Sequence, residues 1–136
     1  MLVRMAQSFR DLKVWQKAIE LSVSVFEFTG DFPGSELYGL SSQMRRASVS
    51  VASNIAEGSA RGTKRDFRQF VKLARGSNCE LQTQLVIAGQ LGFGNRGKCE
   101  KLEALSQEVG KMLSGLSRYL SEEIKLRRKE ELRTDN

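Results

Sequence analysis

Five cations, Arg61, Arg65, Arg68, Lys72 and Arg75, follow one another at spacings of 4, 3, 4 and 3 residues. On an α-helix such spacing keeps side chains on one face, and the four from Arg65 to Arg75 fall within an arc of about 80°. A ridge of this kind can contact successive phosphates, and guanidinium groups suit bidentate phosphate contacts better than point charges do. The alternative is a solvated helix face, but such faces interleave Glu for i to i+4 support, and here only Asp66 intervenes. With Lys64 beside them, Arg61, Arg65, Arg68, Lys72 and Arg75 are the candidate nucleic-acid-binding residues. The wider stretch Arg45 to Arg75 carries eight basic residues against Glu57 and Asp66, an excess of +6 that equals the net charge of the whole 136-residue chain. Solubility requires net charge but not its confinement, so the localisation points to an anionic partner, with nucleic acid first. Phe67 and Phe70 fall on the apolar side of the same helix, which leaves few rings to stack on bases; binding is expected to read backbone and shape.

Other chemistry fits the residues poorly. The chain has no His, which excludes Ser-His and Cys-His nucleophile systems and the Glu-x-x-His ligands of di-iron bundles. Gly58-Ser59-Ala60-Arg61-Gly62-Thr63-Lys64 has the composition of a phosphate loop without its order or a preceding strand. Carboxylate metal chemistry through Glu57 and Glu80 would draw on two helices in a basic field. Cys79 and Cys99 lie twenty residues apart with no CxxC or CxxH near them, so two buried thiols in a reducing compartment are expected rather than zinc or a disulfide. The reading is non-enzymatic, with no cofactor and no metal.

Helices must position the ridge. One Pro and one Trp among many Leu, Ala, Glu, Lys, Arg and Gln favour helix, and no segment alternates with a period of two. Four amphipathic segments at about 11–29, 36–58, 64–91 and 97–126, followed by a mixed basic and acidic tail over 122–136, predict one all-α domain over 1–136, an antiparallel up-down-up-down four-helix bundle. Leu12, Trp15, Ile19, Ser22 and Phe26 are the expected core stripe of the first helix, and Leu40, Met44, Ala47, Val51 and Ile55 that of the second, which Gly58 ends in a left-handed C′ position. Thr63 caps the third helix ahead of Asp66. Its core face comprises Phe67, Phe70, Val71, Ala74, Leu81, Leu85 and Ala88; that of the fourth comprises Leu102, Leu105, Val109, Met112, Leu116 and Leu120. Val14, Leu21 and Phe28 form a second stripe on the first helix and are the expected oligomer interface, with Leu73 and Ile87 also off the core face; scattered surface hydrophobes are the alternative. No apolar run approaches the roughly 20 residues of a membrane span, and Met1-Leu2-Val3-Arg4-Met5-Ala6 lacks the apolar region of a signal peptide. A cytoplasmic protein without membrane contact is expected.

Asn54-Ile55-Ala56-Glu57-Gly58 follows Gln43-Met44-Arg45-Arg46-Ala47 and precedes Gly76-Ser77-Asn78-Cys79-Glu80. With Phe9-x-x-Leu12-x-Val14-Trp15-Gln16-Lys17-Ala18, Phe32-Pro33-x-x-Glu36-x-Tyr38-Gly39-Leu40 and Leu91-Gly92-Phe93, the chain resembles, over about residues 9 to 120, the four-helix-bundle family encoded by intervening sequences of bacterial 23S rRNA genes. The resemblance implies a homo-oligomer, a pentameric ring, and a poorly defined role with RNA, which is favoured over DNA without excluding it. The family is similar in fold to accessory proteins of diversity-generating retroelements, and by that analogy an alternative role is a protein-interaction adaptor, for example the partner of a reverse transcriptase. Ala52 departs from the pattern, standing where many members carry proline. Within the shared motifs Arg46, Asn54, Glu57, Gly58 and Glu80 read as structural. Glu57 faces the negative end of its helix dipole and needs a cation such as Arg61, Lys64 or Arg68. Arg46 is placed to meet Glu80 across the second and third helices.

Overall fold

The computed structural model describes residues 8–37 and 39–135, so the segment 1–7, Tyr38 and Asn136 lie outside the described residues. Four α-helices make up the architecture: α1 Lys13–Thr29, α2 Leu40–Ala60, α3 Lys64–Leu91 and α4 Arg96–Thr134, with single 3-10 turns at Phe9–Asp11 and Gly34–Glu36. No strand occurs among the described residues. α1 packs on α2, α2 on α3, α3 on α4, and α4 closes against α1. The interior holds Val14, Leu21, Val25 and Phe28 of α1, Met44, Val51 and Ile55 of α2, Val71, Leu81 and Leu85 of α3, and Leu102, Val109, Leu113 and Leu120 of α4.

Each boundary has a local cause. Thr63 Oγ1 accepts the Asp66 amide at 3.1 Å and starts α3. Gly92, at φ 72°, ends it in the left-handed region that favours glycine. Asn95 Oδ1 accepts the Lys98 amide at 2.9 Å and starts α4. α2 begins at Leu40 rather than at residue 36, because Gly34–Glu36 forms its own short turn. It then runs unbroken through Ala52 and past Gly58 to Ala60, so Gly58 is an interior residue of the last turn and not a C′ glycine. A Cβ at Gly58 would stand 2.5 Å from Phe70 Cβ and 3.1 Å from Phe67 Cδ1. Glycine is required there for close approach of α3.

The core face of α1 is rotated from the sequence expectation, and the stripe Leu12, Trp15, Ile19, Ser22 and Phe26 divides: Leu12 and Trp15 pack against the core and Ser22 is buried, but Ile19 and Phe26 are not. Val14, Leu21 and Phe28 are buried in the chain's own core, whereas Ile19, Val23 and Phe26 stand exposed at 39%, 53% and 46%. Ala18 and Val25, both fully buried, complete Val14, Leu21 and Phe28 into an unbroken seam at heptad-like spacing. Ser22 lies at the edge of that seam, where its hydroxyl stands 3.1 Å from that of Ser48 on α2. Ser22 and Ser48 are both buried, and each hydroxyl finds a partner out of water, as a buried polar group must. Off-core positions on α3 match expectation, with Leu73 and Ile87 exposed.

α4 continues as helix to Thr134, so the charged tail is helical from Glu122 to Thr134 and extends beyond the start of α3, where Glu123 meets Lys64. Among the described residues no helix is long and apolar enough to cross a membrane.

Candidate nucleic-acid interface

Polar cross-links hold α3 in place along its length. On the α2 side, Ser50 Oγ lies 2.9 Å from Ser77 Oγ, and the Asn54 amide donates to Ser50 O and Oγ at 2.8 and 3.0 Å. On the α4 side, buried Asn78 donates to Ser106 O at 2.9 Å while Ser106 Oγ donates to Asn78 Oδ1 at 2.8 Å. Arg68 donates to Ser121 Oγ at 3.3 Å, and Lys64 pairs with Glu123 at 3.2 Å. Residue numbers thus rise along α4 as they fall along α3.

The basic residues separate into tethered and untethered groups. Arg61 pairs with Glu57 at 3.0 Å and places its guanidinium 4.8 Å from the centroid of the Phe70 ring. Both partners of that ion pair are about half exposed, so its value lies in fixing the α2–α3 turn more than in stability. Arg68 and Lys64 are held by α4 as described. Arg65, Lys72 and Arg75 are exposed and, among the described residues, enter no ion pair. Asp66, the one acid within the ridge, has its backbone engaged in the Thr63 cap.

The structural motif resolves unevenly. Glu57 meets Arg61 as expected. Arg46 does not meet Glu80: Arg46 is exposed, and Glu80 Oε1 accepts from Gln84 Nε2 at 3.3 Å on its own helix. Arg45 is the cation that braces α1 against α2, donating through Nε to Thr29 Oγ1 at 2.9 Å with its guanidinium 5.0 Å from the Phe26 ring centroid. Glu57 and Glu80 belong to no metal-holding cluster among the described residues. The thiols also divide. Cys79 is exposed, against the expectation of two buried thiols, whereas Cys99 is buried, and burial, then the Glu103 carboxylate, push its thiol pKa up.

Two cations missed in the sequence belong to the same face. Lys111 and Arg118 of α4 line an open groove of about 470 Å³ together with Arg75 of α3. The excess-charge count hid them, because α4 carries acids on either side of them along the chain, up to Glu108 and again from Glu122. Their signal was the acid-free run from Val109 to Ser121.

A helical bundle with one cation-rich face of α3 and α4 is the class of protein this arrangement defines. Its sequence matches the family model of the 23S rRNA-intervening sequence protein over residues 10–115, and the chain belongs to that family. A crystal structure of a protein of unknown function from the S23 ribosomal protein family of Bacteroides thetaiotaomicron shares the fold, with a TM-score of 0.69 at 21% identity over 76% of this chain and 97% of that one. No protein of curated function matches the chain.

Proposed function

We propose that this protein is a non-enzymatic nucleic-acid-binding bundle, acting on RNA in preference to DNA, and that Arg61, Lys64, Arg65, Arg68, Lys72 and Arg75 form its contact ridge. The observation that carries this reading is the set of exposed, unpaired cations Arg65, Lys72 and Arg75 on one face of α3. Arg61, Lys64 and Arg68 flank them and are oriented by Glu57, Glu123 and Ser121. Three cations without carboxylate partners on a rigid helix present a fixed positive field, and phosphate contacts need little more than that.

The working form in this reading is an antiparallel up-down-up-down bundle assembled into a cytoplasmic homo-oligomer, a pentameric ring by the family resemblance, which repeats the ridge around the assembly. The exposed Ile19, Val23 and Phe26 of α1, rather than Val14, Leu21 and Phe28, supply its apolar contact. The same face favours a second reading, a protein-interaction adaptor serving a reverse transcriptase or another nucleic-acid enzyme. A pull-down decides between them: a partner retained after nuclease treatment supports the adaptor, and one lost with the nucleic acid supports direct binding.

The ridge itself is tested by replacing Arg65, Arg68 and Lys72 with Glu. Affinity for structured RNA should fall and the slope of log affinity against log salt should drop by roughly 2 to 3, from about 0.7 to 0.9 per lost phosphate contact. An unchanged slope removes the ridge from the account.

A further inference from the structure

We infer that the binding site is the two-walled groove between α3 and α4, with Lys111 and Arg118 as its second wall, and that its ligand is the sugar–phosphate backbone of double-stranded RNA. The inference rests on the nucleic-acid reading above and narrows it.

The first observation is an alignment. α3 carries no acidic residue from Phe67 to Cys79, and α4 carries none from Val109 to Ser121. The Arg68–Ser121 contact near one end and the Asn78–Ser106 pair near the other set these two windows side by side. Each spans about 18 Å of helix. The result is an acid-free strip that crosses from one helix to the next, a coincidence that the sequence of either helix alone cannot display.

The second observation is the groove within that strip. Arg75 approaches from α3, Lys111 and Arg118 from α4, and no carboxylate is among the described residues lining it. Like charges converging on one concavity repel, and the concavity concentrates their field. An anion lying between the walls would be contacted from both sides. Gly110 keeps the helices close, since a Cβ there would stand 3.2 Å from Asn78 Nδ2.

The lining chooses among nucleic acids. No aromatic side chain lines the groove among the described residues, whereas single-strand binders rely on rings on which bases stack. A duplex presents its backbone outward and needs no such platform. Gln82, Gln107 and Ser114 add neutral donors and acceptors beside the cations. A ribose 2′-hydroxyl both donates and accepts, and it is the group that separates RNA from DNA in backbone and minor-groove recognition.

The test is a fluorescence-anisotropy salt series on the full chain with a blunt RNA duplex, the DNA duplex of the same sequence, and one RNA strand alone. Unchanged thermal unfolding of each variant is checked first. The RNA duplex should bind tightest. The variant Lys111→Gln with Arg118→Gln should lower its salt slope by roughly 1.8, about 0.9 for each lost contact. A control of equal charge change, Lys98→Gln with Lys101→Gln, should leave the slope as it is, because those residues lie outside the strip. A slope unmoved by the Lys111 and Arg118 changes, while the α3 ridge variant loses binding, overturns the groove and leaves the ridge standing. Equal effects of the control and groove variants reduce the site to net charge and overturn it as well. Tighter binding of the DNA duplex or the single strand overturns the ligand class, and no salt-dependent binding to any probe overturns the nucleic-acid reading beneath it.

Discussion

Gly58 and Gly76 are both helix-interior glycines, and the space around them assigns opposite outcomes to the same substitution. At Gly58 a Cβ meets Phe70 Cβ at 2.5 Å, an atom fixed to the backbone, so α2 and α3 must separate. Overpacking of about 1 to 3 kcal/mol exceeds the helix-propensity gain of about 1 kcal/mol, and Gly58→Ala should lower stability in urea unfolding. At Gly76 nothing lies within 4 Å of the added carbon, so Gly76→Ala should raise stability by about 0.5 to 1 kcal/mol. The glycine signal was legible in the sequence, but not its meaning. A glycine near a helix end reads the same whether it supplies a left-handed cap or a close approach, and only the position of Phe70 distinguishes them. Glu57 with Arg61 was legible because both lie within one turn. Arg46 with Glu80 was not excluded by spacing, because a cross-helix pair depends on rotations that the sequence leaves free.

At the scale of elements, α3 is the helix whose bounds the sequence specifies most fully: the Thr63 cap, an apolar seam and the left-handed Gly92 enclose it. α1 offered two apolar stripes, one stepping by three and four residues and one by seven, and its core face draws on both: Val14, Leu21, Phe28 and Ser22 are buried, whereas Ile19 and Phe26 are exposed. The tail beyond Glu122 read as a charged segment, yet its Lys, Arg, Glu and Leu are good helix formers, and Arg127 pairs with Glu131 one turn on at 3.5 Å. The register of α3 on α4, which aligns the acid-free windows, depends on Asn78. Its amide and the Ser106 hydroxyl and carbonyl form a closed pair out of water, so Asn78→Ala takes from the buried Ser106 hydroxyl its acceptor. A loss of roughly 2 to 3 kcal/mol is expected in chemical unfolding. A loss below about 0.5 kcal/mol would mean that the register is set by apolar packing alone.

For the whole molecule, the net charge of +6 is unevenly available. Arg45 braces α1 against α2, Arg61 and Lys64 are engaged with carboxylates, and Arg65, Lys72 and Arg75 remain open to a partner. The exposed Ile19, Val23 and Phe26 face of α1 predicts self-association. Sedimentation should show a species larger than the monomer that dissociates when Val23 and Phe26 become Asp; a monomeric parent chain removes the ring from the account. The exposed apolar face was legible only in outline, because the sequence marks two apolar stripes without saying which residues the core takes. The affinity of the intact protein for structured RNA as a function of salt tests backbone recognition by the ridge most directly. Log affinity should fall linearly with log salt, with a slope of roughly 2 or more from three or more phosphate contacts, shared by RNAs of different sequence. Binding that is indifferent to salt, or absent at low salt, would contradict that recognition.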